Sequence, residues 1–157
     1  MEGVLVYLES LSSSAWLRTG VWPFPVVNLI HVFGIALLFG GIVVLDLRLL
    51  GLTGKLPVAG LARLVLPIAG TGLCLAVGTG VLMFALNARE YAANPYLPWK
   101  LGSILLAGIN IAFLHATVWR SRECWEERAP VLAETAAAVS LALWAGTIIC
   151  GRLMAYF

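Results

Sequence analysis

The feature that most constrains the fold is a long apolar run, Val26 to Leu50, that contains His31 and ends around the charged residues Asp46 and Arg48. A helix needs about 20 apolar residues to cross a hydrocarbon layer roughly 30 Å thick, at about 1.5 Å per residue. The run is long enough to do so. An ionisable side chain in such a segment costs free energy unless it has a partner or a function. His31 is therefore a functional-site hypothesis.

The composition excludes a soluble domain with one core. Of the 157 residues, 61% are hydrophobic and 11% are charged, which is more apolar material than an interior of this size can bury. The net charge of +2, with basic residues scattered singly, does not indicate nucleic-acid binding. The three cysteines form no spaced pair and predict neither a disulfide framework nor a metal motif. We therefore predict an integral membrane protein.

Four apolar runs predict an all-α fold, an integral membrane four-helix bundle in up-down-up-down order that forms a single domain over residues 1–157. The predicted spans cover about 26–50, 61–86, 99–119 and 130–156. Residues about 4–17 place apolar side chains at helical spacing and are typical of a short interfacial helix. In the second span, Pro67 predicts a kink, and the glycines at 70, 72, 78 and 80 predict close approach of a neighbouring helix.

The basic residues predict the orientation of the bundle. The first and third loops, with the helix ends beside them, hold six of them, including Lys55 and Arg128, and the termini with the middle loop hold four. Basic residues accumulate on the cytoplasmic side of membrane proteins. The distribution therefore favours both termini on the outer side.

This topology sorts the polar residues into two layers. The outer layer holds His31 with Asn28, Lys100, Arg152, Tyr156 and Met83. The inner layer holds His115 with Asp46, Arg48, Arg63 and Glu134. At about 100° per residue, Leu38, Ile42 and Leu45 line up with His31. Asn28, Gly34 and Asp46 lie about 60° from it, and we expect one polar seam facing the bundle interior.

Two histidines on separate apolar helices indicate haem b, whose iron takes axial imidazole. His31 and His115 are the candidate iron ligands, and Lys100 and Arg152 are cations that could pair with propionates or a quinone carbonyl. A depth difference of roughly 9 to 16 Å along the membrane normal separates the two histidines and argues against one haem bridged by both within a chain. Two arrangements stay open, one haem per histidine or haems shared by two copies across a two-fold axis. The second axial ligand would be Met, Lys, another subunit or none.

Structural interpretations compete with each of these roles. Either histidine could instead donate a hydrogen bond to a neighbouring helix, worth about 1 kcal/mol. Asp46 and Arg48 could be interface anchors, a local ion pair, or part of a proton path with Arg63 and Glu134.

Short patterns along nearly the whole chain are shared with a known family. They are Trp22-Pro23-Phe24-Pro25, His31, Asp46-Leu47-Arg48-Leu49-Leu50-Gly51, Thr79-Gly80, Lys100-Leu101, Asn110, His115, Ser140-Leu141 and Gly151-Arg152. With them the chain resembles small bacterial four-helix membrane proteins catalogued as a domain of unknown function. The resemblance implies the fold and an inner-membrane location, but no activity.

A looser resemblance concerns the topology together with a first-helix histidine, His31, and a third-helix lysine, Lys100. In these features the chain is similar to haem-binding membrane proteins of the copper-resistance D type and to the membrane protoporphyrinogen oxidase. The resemblance implies haem b at His31. The remaining motifs of those proteins are missing here, so it does not imply the oxidase activity.

We therefore expect a haem b-binding membrane subunit that transfers electrons between a quinone and a partner protein, within a homo-oligomer or a larger oxidoreductase complex. The alternative is a haem-free membrane anchor or accessory subunit whose polar residues only hold helices together. A small transporter is a third hypothesis, suggested by Pro67 and the glycine-rich second span.

Overall fold

The computed structural model describes residues 2–54, 56–125 and 129–156, and over these ranges the chain forms helices and turns without strands. The helices are α1 (Glu2–Ser10), α2 (Ser12–Thr19), α3 (Pro23–Leu49), α4 (Val58–Leu86), α5 (Ala88–Ala93), α6 (Leu97–Thr117), a 3₁₀ helix (Trp119–Cys124) and α7 (Val131–Leu153). The helices α3, α4, α6 and α7 are long and apolar enough to cross a membrane. The predicted all-α fold is confirmed. Lys55 and Arg128, counted in the charge asymmetry, lie outside the described residues.

The four long helices run antiparallel in chain order. α3 packs against α4, α6 packs against α7, and the two pairs meet where α3 contacts α7. The order across the bundle is therefore α4, α3, α7, α6. We name the end where α3 begins the termini end, because α1, α2 and the last turn of α7 belong to it, and the other end the opposite end.

The closest contact in the bundle is between α3 and α4, where two glycines face each other. A Cβ atom on Gly72 would lie 2.5 Å from the backbone nitrogen of Leu38 and 2.6 Å from the carbonyl oxygen of Gly34. A Cβ atom on Gly34 would lie 2.7 Å from the backbone nitrogen of Ala76. The backbones therefore touch, as small residues allow in membrane helix pairs. Of the four glycines noted above, Gly72 and Gly80 face α3, whereas a Cβ atom on Gly70 or Gly78 would enter open space.

Glycine also ends α3. The backbone N–H of Gly51 donates to the carbonyl of Arg48 at 3.1 Å, and that of Leu52 donates to the carbonyl of Leu47 at 3.0 Å. Gly51 has a positive φ of 77°. This is the Schellman arrangement, which needs a left-handed residue after the helix.

The N-terminal stretch differs from the prediction of one helix over residues about 4–17. It forms α1 and α2, separated by Leu11 in an extended conformation. The break lets the hydroxyl of Ser14, which is fully buried, lie within hydrogen-bonding distance of the carbonyls of Leu8 and Ala85, at 2.9 and 3.2 Å. The N-terminal helices are thereby fixed to the end of α4.

A second contact docks α1 on α5. Arg89 donates to the carboxylate of Glu9 from its backbone N–H and from Nε, each at 3.0 Å, and Nη2 lies 2.9 Å from Oε2 of Glu9. The carboxylate is mostly buried by this contact, with 13% of the Glu9 side chain exposed. Glu9 is therefore the acidic anchor of the N-terminal helices.

Acidification should loosen this anchor. Hydrogen bonds from the Arg89 backbone and side chain lower the pKa of Glu9 below its ordinary value. Because the folded-state pKa is the lower one, the contact stabilises docking above the ordinary carboxyl pKa, and this stabilisation is lost as the pH falls through the folded value. A spin label on α1 should gain mobility as the pH falls below about 4. In Glu9→Gln the label should be more mobile at neutral pH and the acid transition absent; a transition that persists in this variant would contradict the assignment.

The glycine contact predicts a difference between two neighbouring positions on α4. Gly72→Ala places a methyl group against the α3 backbone, and we expect a loss of about 1–3 kcal/mol in the free energy of unfolding. Gly70→Ala, with open space at the new methyl group, should be neutral or stabilising because alanine favours helix more than glycine does. Unfolding in mixed detergent micelles measures both. Equal effects at the two positions would refute close backbone contact at Gly72.

Candidate functional site

His31 lies half-buried on α3 and is held by α4. Its Nδ1 atom is 2.9 Å from Oγ1 of Thr79. Oγ1 of Thr79 also lies 2.5 Å from the carbonyl oxygen of Leu75, which can only accept a hydrogen bond. The single hydroxyl hydrogen therefore goes to Leu75, and Thr79 accepts the N–H of His31. This arrangement leaves Nε2 of a neutral imidazole with a free lone pair, the form that binds a metal.

Gly80 makes room for the imidazole ring. A Cβ atom at Gly80 would lie 3.2 Å from Cε1 of His31. The carbonyl of Ala76, one turn earlier on α4, also lies within hydrogen-bonding reach of the ring. Three positions of α4 therefore fix the orientation of one side chain of α3.

Lys100, at the start of α6, is a cation whose charge acts on this imidazole. It is half-buried and close enough to His31 to interact with it electrostatically. Its Nζ atom would lie 3.6 Å from a Cβ atom on Gly151 of α7. We name the group of His31, Thr79, Gly80, Lys100 and Gly151 the His31 cluster. Each long helix contributes at least one residue to it.

The other predicted members of the outer layer do not join the His31 cluster. Asn28 is exposed, although it lies on the same face of α3 as Asp46, five turns of about 3.6 residues further on. On this face of α3, α7 covers Asp46 but does not reach Asn28. The expectation that Asn28 faces the interior is therefore wrong.

The C-terminal members of that layer also face outward. Arg152 donates from Nη2 to the hydroxyl of Tyr156 at 2.7 Å, and its guanidinium lies 4.9 Å from the centroid of the Tyr156 ring. Both side chains are exposed. Met83 packs instead against Leu17, Val27 and Leu86 under α2. These residues therefore form contacts of their own, apart from His31.

At the opposite end, Asp46 and Arg48 are both buried. Asp46 is 6% exposed, and the hydroxyl of Ser140 on α7 interacts with its carboxyl group. Arg48 is fully buried, and its Nε donates to the carbonyl of Leu56 in the loop that follows α3. Residues two apart on a helix point about 200° from each other, and these two do not form an ion pair. Oδ2 of Asp46 and both Nη atoms of Arg48 have no hydrogen-bond partner within the described ranges.

His115 lies outside the bundle interior. It is exposed, its Nδ1 atom lies 2.9 Å from the carbonyl oxygen of Ile111 on its own helix, and its ring packs 5.0 Å from that of Trp119. α6 buries only Ala107 and Leu114, and Leu114 takes the inward position that the prediction gave to His115. His115 therefore lies near the end of α6, as its place in the chain predicts, but not on a polar seam facing the bundle interior.

Two further residues of that layer form contacts of their own and do not join a shared polar seam. Arg63 is exposed and pairs with Glu123 at 3.3 Å. Glu134 is half-buried in the first turn of α7 and takes part in an interaction of its own. The single polar seam of the sequence prediction is thus replaced by the His31 cluster at one end and by Asp46 and Arg48 at the other.

Sequence reasoning did not assign three polar contacts between the long helices. Thr79 was noted only as part of a Thr-Gly pair, yet it orients His31. Ser140 faces Asp46, and Asn110 on α6 donates to the carbonyl of Ala136 on α7 at 2.8 Å. A polar residue inside an apolar run signals an interhelical hydrogen bond, but the sequence does not state which helix receives it.

The residues at the His31 cluster fit one part of a haem site. His31 offers Nε2, and Lys100 offers a positive charge that acts on this imidazole. The described residues contain no group of three or more His, Cys, Asp or Glu side chains that could hold a metal ion, so His31 is one protein ligand and not a cage. Two surface cavities, of about 350 and 310 Å³, are lined by residues other than His31.

Comparison of the chain with protein-family models, with curated proteins and with solved structures gives no match. The family resemblance noted from the sequence therefore stays a prediction.

The contact between His31 and Thr79 can be measured directly by a double-mutant cycle. We expect His31→Ala and Thr79→Val to show a coupling energy of about 0.6 kcal/mol, and at most about 1.7 kcal/mol, as for other hydrogen bonds between membrane helices. The measurement is unfolding in mixed micelles, on protein produced without added haem. The control pairs His115→Ala with Thr79→Val, which should show no coupling. A His31–Thr79 coupling as small as the control would refute the hydrogen bond.

Proposed function

We propose that this chain is a membrane-embedded electron-transfer subunit that binds haem b through Nε2 of His31 and exchanges electrons between a quinone and a partner protein. The observation that carries the proposal is the hydrogen bond from Nδ1 of His31 to Thr79. It fixes the imidazole on a second helix and leaves Nε2 free, as is usual for metal-ligating histidines. The charge of Lys100, which acts on this imidazole, supports the proposal further.

Each member of the His31 cluster has a part in this proposal. When bound, haem would supply one-electron redox chemistry. His31 would ligate the iron, and Thr79 would hold the ring in the metal-binding tautomer. Lys100 would pair with a propionate or a quinone carbonyl. Gly80 would leave room for the imidazole ring, and Gly151 for the Lys100 side chain.

The second axial ligand is best supplied by a second copy of the chain. The described part of the bundle places no other histidine in the His31 cluster, and Met83 packs elsewhere. Like histidines across a two-fold axis would complete the iron coordination with one haem for two chains. His115 is exposed, so a second haem at that residue would lie outside the bundle interior.

The chain would act in a bacterial inner membrane with both termini on the periplasmic side. The excess of basic residues in the first and third loops and the helix ends beside them supports this orientation. The His31 cluster, at the termini end, would then lie in the periplasmic half of the membrane, where it could meet a periplasmic electron donor.

A haem-free anchor or accessory subunit is the second candidate. Only 11% to 28% of the residues in the most apolar window of each long helix are buried within the chain, which leaves wide apolar surfaces for lipid or for other subunits. The interhelical bonds of His31 and Asn110 would then serve stability alone.

Difference spectra distinguish the two candidates. We expect protein purified from haem-replete membranes to show a reduced-minus-oxidised α band of the b type. His31→Ala should abolish the band, and His115→Ala should retain it, because that ring lies on the exposed surface. Thr79→Val should keep the haem but change its midpoint potential, because the hydrogen bond to the ligand is removed.

Helical content and the elution volume of each variant serve as controls for folding. A haem-free wild type from such cells would exclude the haem proposal and favour the anchor. Equal loss of the band in both histidine variants would exclude His31 as the specific ligand.

A further inference from the structure

A cavity of about 310 Å³ opens on the surface between α4 and the 3₁₀ helix, at the opposite end of the bundle. It is lined by Ala62, Arg63, Leu66, Pro67, Trp119 and Arg122. The cavity is separate from the His31 cluster and plays no part in the proposed haem site. Its lining combines two arginines with apolar side chains. This combination is suited to an anion that also carries an apolar part.

Among the described residues, Arg122 is held in place by contacts that leave most of its N–H donors unused. Its Nη1 donates to the carbonyl of Trp119 at 3.1 Å, and its guanidinium lies 5.3 Å from the centroid of the Trp119 ring. A guanidinium carries five N–H donors, of which this contact uses one. The stacking on Trp119 therefore holds the Arg122 cation against another residue of the cavity lining without neutralising it.

The ion pair that Arg63 forms is weak. It pairs with Glu123 at 3.3 Å, and the two side chains are 76% and 64% exposed. An exposed ion pair of this kind contributes little free energy because water screens it. A stronger anion could therefore displace Glu123 from Arg63 and contact both arginines.

If α4 enters the membrane near its first residue, the cavity lies at the depth at which a phospholipid changes from polar to apolar. Arg63 and Pro67 lie five and nine residues after the first residue of α4, or roughly 7 to 14 Å along the helix. Leu66, Pro67 and Ala62 form the apolar part, and Trp119, which is buried, stacks on Arg122. Basic pockets between membrane helices bind anionic lipid headgroups.

We propose that this cavity binds the phosphate of an anionic phospholipid, with Arg63 and Arg122 as the two cationic partners and the α4 wall against the glycerol and upper acyl chain. Glu123 is a competing internal anion. The site therefore selects lipids with a net negative charge over zwitterionic lipids, whose own ammonium group would meet the arginines.

The test compares spin-labelled phosphatidylglycerol with spin-labelled phosphatidylcholine bound to the full chain in phosphatidylcholine vesicles. We expect preference for phosphatidylglycerol, falling about fivefold for each of Arg63→Gln and Arg122→Gln. Glu123→Gln should raise the preference, because it removes the competing carboxylate. Arg120→Gln is the matched control: Arg120 is exposed on the same 3₁₀ helix but does not line the cavity, so its loss should have little effect.

Three results would overturn the proposal. An equal affinity for the two lipids would exclude a site for anionic lipid. An effect of Arg120→Gln as large as that of Arg122→Gln would indicate general surface charge. Loss of the preference in inorganic phosphate, but not in chloride of the same ionic strength, would identify free phosphate as the ligand. Far-UV circular dichroism of each variant controls for folding.

Discussion

The contact between Gly34 and Gly72 determines where the polar side chains of this bundle can meet. Helices in lipid gain little from burying apolar side chains against one another, because lipid is equally apolar; they associate through close packing and hydrogen bonds. Two glycines allow the backbones of α3 and α4 to touch. His31 lies one turn from Gly34, and Thr79 lies two turns from Gly72, so this separation sets the 2.9 Å contact between their side chains. A larger separation between α3 and α4 would leave His31 and Thr79 without this hydrogen bond.

The polar side chains at the two ends of the bundle differ in how fully they are hydrogen-bonded. At the termini end, His31 has a hydrogen-bond partner on another helix, and Lys100 reaches toward α7. At the opposite end, Arg48 is fully buried and uses Nε to bind the loop carbonyl of Leu56, while both Nη atoms find no partner within the described ranges. A buried cation of this kind costs free energy. It also ties the loop to the end of α3, which Gly51 closes by its positive φ.

The sequence predicts the helices well and their rotation poorly. Length and hydropathy are sufficient for four spans, and the 100° rule correctly turns Leu38 and Leu45 inward with His31. The expected interior position of His115 is not found, because lipid-facing and inward-facing positions of α6 are both apolar. Hydrophobicity then carries no information on which face is inside, and the helix buries Leu114 in place of its neighbour. The pairing of His31 with Thr79 depends on the register of α3 against α4, which single-sequence patterns do not contain.

The two histidines show that the chemistry of a side chain depends on which helix holds it. Both rings have Nδ1 close to an acceptor, so both present Nε2 with a free lone pair. The acceptor of His115 is a carbonyl of its own helix, and the ring is exposed beside Trp119. The acceptor of His31 is on α4, and Lys100 comes from α6. Rotation of α3 against α4 would move the His31 ring relative to that acceptor, whereas His115 would move with its helix. Only His31 therefore has a position defined by the tertiary structure, which is the condition for a ligand that must meet a fixed partner atom.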